Sequence, residues 1–130
     1  PSTSERVITV GAYDSVNIST VGFSGRGYTR ATEYIKPDLV APGVNILTTT
    51  VGGSIISFTG TSAAAPFVAG SVALLMEWGI VDRNDIFLYG ERLKAFLCTG
   101  AIRDNSREYP NREWGYGRIC LKNTLDLLKK

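Results

Sequence analysis

The sequence contains no histidine. That absence removes the side chain most used for proton transfer near neutral pH, and with it a typical zinc site. Cysteine is scarce. Cys98 and Cys120 are the only two, at a spacing that fits no metal motif. They read as free thiols acting as small hydrophobes; a disulfide would need their Cα atoms within ~7 Å. No apolar run approaches the ~20 residues that cross a bilayer, so no membrane span is expected. A dominant charge is missing too: 14 basic and 12 acidic residues leave a formal charge of +2. With no basic stripe, nucleic acid and anionic membrane are poor candidate partners. The polar start Pro1–Arg6 has neither an initiator methionine nor a signal-peptide pattern. A processed or excised piece is therefore expected.

What is present is ordinary for a globular chain: 130 residues, 44% hydrophobic and 20% charged. Arg6–Ala12 is β-branched and apolar on both faces, which predicts a buried strand. Asn17–Phe23 is a weaker strand, and the glycine-rich stretch Gly25–Arg30 predicts a polar loop. Leu39–Ala41 forms a short strand stopped by Pro42-Gly43. Val44–Thr50 is extended, Gly52-Gly53 turns, and Ile55–Phe58 is another strand. Together these predict strands over about 7–59. The composition then changes. Ser62–Trp78 is rich in Ala, Leu and Met and predicts a helix over about 62–78, with Gly79 as its stop. Its many small residues predict a central, buried position. Shorter helices are predicted over about 91–98 and 121–128. Strands first and helices last is an odd order for a self-contained α/β unit, because parallel strands need crossovers between them. Part of a larger sheet is expected to be missing.

The sharpest feature is Phe58-Thr59-Gly60-Thr61-Ser62-Ala63-Ala64-Ala65-Pro66. A strand ends, glycine turns, and a hydroxyl sits where a helix begins. The first helical N–H groups lack intrahelical partners, and their dipoles favour negative charge. A serine there can attack a carbonyl while its own N–H stabilises the developing oxyanion. Pro66 is tolerable within about the first turn. On Gly60-Thr61-Ser62 alone, a plain helix N-cap by Thr61 or Ser62 is the simpler explanation. The longer string outweighs it.

Gly60, Thr61, Ser62, Ala64, Pro66, Ala69 and Gly70 match the serine motif of the subtilisin-like (subtilase) family, which the chain resembles. Four further stretches resemble family landmarks in the right order: Val7–Ala12, Phe23-Ser24, Lys36–Gly43 and Trp114–Ile119. The resemblance implies the C-terminal part, residues 1–130, of a subtilase catalytic domain. Its fold would be a section of a three-layer α/β sandwich with a mostly parallel sheet, incomplete as it stands. By the same resemblance Ser62 is the nucleophile of a serine endopeptidase, its N–H is one oxyanion donor, and Gly60 and Thr61 lie beside the site. Ala63 stands where the family often has methionine.

The family's base is a histidine, oriented by an aspartate, with an asparagine completing the oxyanion hole. All three belong upstream of Val7. Asp14, Asp38, Asp82, Asp85, Asp104 and Asp126 fall at non-catalytic places, and most are expected in turns or caps. The chain alone is thus expected to be inactive, and a regulatory pseudoprotease that binds protein partners is the alternative. Its expected partners are the missing N-terminal segment, a peptide or protein substrate, or a second copy as a homo-dimer. No cofactor is identifiable, and calcium in the full-length protein is left open. An extracellular or cell-envelope location follows from the resemblance alone.

Overall fold

The computed structural model describes residues 2–130. Strand β1 spans Val10–Asp14, starting later than the apolar run that predicts it. The reason is a competing partner. Thr9 donates its N–H to the Asp38 carboxylate at 2.7 Å, and its carbonyl accepts the Asp38 N–H at 2.8 Å. Residues 7–9 are therefore tied to a side chain and a loop instead of a ladder.

Strand β2, Ser19–Thr20, pairs antiparallel with the end of β1. Between them and the next sheet strand lies a two-stranded ribbon of β3, Gly27–Tyr28, and β4, Ile35–Lys36. Part of the expected glycine-rich loop is thus strand. Strand β5, Leu39–Pro42, pairs parallel with β1, in register from Val10↔Leu39 to Tyr13↔Pro42. The sheet order is β2-β1-β5. Strands β6, Ile46–Thr49, and β7, Ile55–Phe58, form a separate antiparallel hairpin, turning through Gly52 and Gly53 at positive φ.

Helix α1, Thr61–Met76, runs on without a break into a π-helical turn, Glu77–Val81. Gly79 does not stop the helix. It is buried inside the turn, and its carbonyl accepts the Asp85 N–H at 3.0 Å. Helices α2, Gly90–Thr99, and α3, Leu121–Leu128, follow where expected.

Alternation along β1 and β5 sorts the core into two faces. Ala12 and Ala41 point to one side and pack on Ala64 and Val68 of α1. Leu39, on the same side, joins Leu75, Leu88, Leu93 and Leu97, and α3 packs against this cluster through Leu121, Leu125 and Leu128. Tyr13 and Val40 point the other way and are covered by Trp114. All three helices thus lie on one face, and an irregular C-terminal loop covers the other. A helical third layer is not supplied by the described residues.

The expectation of a buried central helix holds for one side only. Ala63, Ala64, Val68 and Leu75 of α1 are buried, while Phe67 is 43% and Leu74 52% exposed. A helix that is apolar on every side belongs inside something larger. The stretch Thr61–Val81 is 21 residues long and apolar enough, by length and composition, to cross a membrane. This corrects the expectation that no apolar stretch reaches that length. The same stretch packs one side on β1 and β5, as core helices of globular domains do.

Candidate functional site

The motif around Ser62 forms a corner between β7 and α1. Gly60 is the N-cap, and no side chain caps the helix. Thr61 and Ser62 are therefore the first two residues inside α1, not its cap. The first turn closes through Ala63 N–H to Gly60 C=O at 3.0 Å, and the Thr61 and Ser62 amides have no carbonyl within the helix to bond. Pro66 sits one turn further in than the sequence suggests. Lacking an N–H, it leaves the Ser62 carbonyl without its usual i+4 donor. No acidic residue lies in the first turn, so the positive end of the helix is uncompensated from within.

Ser62 is exposed, and its hydroxyl makes no hydrogen bond to any described residue. It lines one edge of an apolar cleft of about 600 Å³ between the β6–β7 hairpin and α1. Leu47, Ile56, Phe58, Pro66 and Phe67 form its walls, and no ionisable side chain reaches it. The site therefore offers a hydroxyl and unpaired amides but no proton acceptor.

The corner is held at the carboxyl end of the parallel pair. Gly60 N–H donates to Gly43 C=O at 2.9 Å, and Gly43 N–H to Tyr13 C=O at 3.0 Å. A side chain at Gly43 would put its Cβ 2.5 Å from Ala12 Cβ and 3.0 Å from Gly60 O. Only glycine allows this approach. Sites on open parallel sheets lie at the carboxyl ends of strands, and this one follows the rule through β1 and β5. It does not follow it through β7, the strand that runs into the corner, because β7 belongs to the separate hairpin. Two contributors are not evident in the sequence. Asn45 adopts a φ of 53° and donates its N–H to Thr59 Oγ1 at 2.9 Å. Asparagine's tolerance of the left-handed region is the one local signal that points to it.

A second polar cluster lies around Asp38, which is buried and is not the turn residue expected for most aspartates. Its carboxylate meets Lys36 Nζ at 2.7 Å and Lys94 Nζ at 2.9 Å. Lys94 also donates to the carbonyls of Glu5 and Val7, at 2.7 and 3.2 Å. Burial opposes the charge on Lys94, but the hydrogen bond and charge of Asp38 outweigh it and raise its pKa. Burial, and then the charge of Asp38, push the neighbouring Cys98 thiol up to about 11. Cys98 is buried and Cys120 half-buried, and both are free. Asp14 behaves as expected, its carboxylate accepting the Val16 N–H at 2.9 Å in a turn. No cluster of metal-binding side chains occurs among the described residues.

Comparison with known proteins decides the family. The profile of peptidase S8, the subtilase family, matches residues 1–117. This chain belongs to the subtilase family. Among solved subtilase structures, the Clostridium perfringens CspB protease superposes on all of the chain with a TM-score of 0.96 and 51% identity, the chain covering 28% of it. Serine protease AprX of Bacillus subtilis is 37% identical over 96% of the chain, which covers 31% of AprX. The PII-type proteinase of Lactococcus lactis subsp. cremoris is 33% identical over 73% of the chain, or 6% of that protein. The chain thus spans less than a third of each of these relatives. It is an α/β fragment of a subtilase domain.

Proposed function

We propose that this chain is the nucleophile-bearing, C-terminal part of a serine endopeptidase domain, and that Ser62 is its nucleophile. The observation that carries the reading is the Ser62 corner: an exposed hydroxyl, without a hydrogen-bond partner among the described residues, in the uncapped first turn of a 16-residue helix. In the complete protein a base accepts the Ser62 proton as Oγ adds to the scissile carbonyl. The carbonyl oxygen becomes negative beside the Ser62 N–H and the positive end of α1. The tetrahedral intermediate collapses to an acyl-enzyme on Ser62 as the amine leaves, and water then releases the acid. Gly60 and Thr61 place the corner.

The base, its orienting carboxylate and the second oxyanion donor come from the preceding part of the domain, since the chain has no histidine. That part is also the partner we assign to the bare side of α1 and the cleft beside Ser62. Phe58, Phe67 and Leu74, each 42% to 52% exposed, await such a cover. Alone, the chain does not hydrolyse peptides. Loss of a triad member leaves only roughly 10³–10⁴-fold catalysis over water, from binding and the oxyanion hole, and here both are incomplete.

A fluorophosphonate probe tests the reading, because its reaction demands an activated hydroxyl. Full-length protein is expected to be labelled at Ser62, the Ser62→Ala variant not at all, and residues 1–130 alone only at background. An unreactive Ser62 in the full-length protein would sink the protease reading and leave the regulatory pseudoprotease in its place.

A further inference from the structure

We propose that Thr59 is a positioning residue for the reaction at Ser62, acting through the Asn45 amide; this rests on the reading of Ser62 as nucleophile. Gly60, the N-cap of helix α1, has no side chain, so nothing at the cap fixes the direction of the corner. The β6–β7 ladder ties the corner only as far as its last pair, Ile46↔Phe58, and beyond it two links to the segment after β5 fix the direction. One is Gly60 N–H to Gly43 C=O at 2.9 Å. The other is Asn45 N–H to Thr59 Oγ1 at 2.9 Å, across 14 residues. The two acceptors and donors are neighbours in sequence on the Ser62 side and two residues apart on the other. A single link would set a distance; the pair also sets the rotation of the corner, and hence where Ser62 Oγ points.

The far anchor is itself rigid. Gly43 donates its N–H to the Tyr13 carbonyl near the end of β1 and is packed against Ala12. Asn45 presents its amide to Thr59 from the left-handed region, at a φ of 53°, and its Oδ1 accepts a longer 3.5 Å bond from Ser57 Oγ. The Thr59 hydroxyl does not cap α1, and among the described residues it bonds to Asn45 alone. Thr59 and Asn45 are both exposed. Water therefore replaces a lost partner readily, and the link adds little to stability. Its value lies in geometry, where a misplacement of about 1 Å can cost on the order of 10²-fold in rate.

The test uses full-length protein with Thr59→Val, which keeps the shape and removes the acceptor, and Thr59→Ser, which restores it. Two quantities are read: the saturating rate of fluorophosphonate labelling at Ser62, and amide hydrogen exchange at Asn45 and Gly60. Thr59→Val is expected to slow labelling about 10- to 100-fold with the probe's half-saturating concentration and the melting temperature unchanged. Exchange at both amides speeds up, and Thr59→Ser recovers the parent's behaviour. Labelling of Thr59→Val at the parent's rate overturns the proposal, as does unaltered exchange at Gly60. If Ser62 is unreactive even in the parent, the protease reading has failed by itself. Gly60 exchange then decides whether Thr59 orients the corner, faster exchange in Thr59→Val supporting it and unchanged exchange refuting it.

Discussion

Replacing Asp38 by asparagine keeps the size of the side chain and removes one charge from a site that holds three. Asp38 is 3% exposed and Lys36 8%. Its carboxylate accepts from Thr9 N–H and from both ammonium groups, all at 2.7 to 2.9 Å. Asparagine can still accept from Thr9 but leaves two ammonium groups facing each other without a counter-charge. Breaking a buried pair by removing one partner costs about 3–5 kcal/mol. Lys94, with 15% of its side chain exposed, can swing toward water, whereas Lys36 at 9% cannot do so easily. The lower half of that range is therefore expected, still a large share of the roughly 5–15 kcal/mol that holds a typical domain together. Urea unfolding of the full-length protein reads it as a lower midpoint at unchanged slope. Hydrogen exchange should show residues 5–9 loosening first, since the cluster holds their backbone. Replacing Asp38, Lys36 and Lys94 together by leucine and methionines should recover much of the loss, because an apolar substitute for a buried ion cluster is often neutral. A single Asp38→Asn variant within 1 kcal/mol of the parent would refute the argument that the carboxylate is what makes the two buried lysines tolerable.

Two further outcomes are expected. The Cys98 thiol is raised in the fold from its ordinary value of 9.0 to about 11, so the stability it contributes is complete below pH 9.0 and is lost as pH rises through about 11. After discounting for the part of the thiol that water reaches, the loss is on the order of 2 kcal/mol. Chemical unfolding at pH 8.5 and 11 should show that loss reduced in Cys98→Ala, and an identical alkaline slope in both proteins would contradict it. Gly115 has a φ of 56°, and a Cβ there would lie 2.1 Å from the Pro37 carbonyl oxygen and 2.5 Å from that of Asp38. Gly115→Ala is expected to cost more than about 3 kcal/mol through backbone displacement and strain; a thermal melt unchanged from the parent would count against the packing described for that loop.

Local signals were enough for much of the fold. Ile55–Phe58, a β-branched run closed by Gly52-Gly53, forms the strand it predicts, and Leu121–Leu128 forms the helix. The β3–β4 ribbon was hidden because two residues per strand carry no periodicity, and Tyr28 opposite Ile35 is a pairing made at a distance. The π-helical turn escaped for a related reason. Gly79 has the composition of a helix stop, but its burial beside Leu88, a contact made by tertiary packing, carries the helix past it. At the site, the order of Gly60, Thr61 and Ser62 pointed to the corner. That Gly60 leans on Gly43, and Thr59 on Asn45, depends on the register in which the two arms of the β6–β7 hairpin pair, which brings together residues 14 or more apart. Asp38 is the plainest case. Nothing in Lys36-Pro37-Asp38 foretells a lysine arriving from residue 94.

That arrival has a consequence for the order of assembly. The Lys94 bond to Glu5 joins residues 89 positions apart, and the Thr9 bond to Asp38 spans 29. Contacts of such span come at the expense of loop closure and tend to form late, whereas α1 can begin from neighbours four residues apart. A chain made from its N-terminal end holds the Lys36–Asp38 pair long before Lys94 exists to join it. Glu5–Val7, just ahead of β1, is thus among the last stretches to be fastened, because its carbonyls wait for Lys94 until helix α2 has been made and docked.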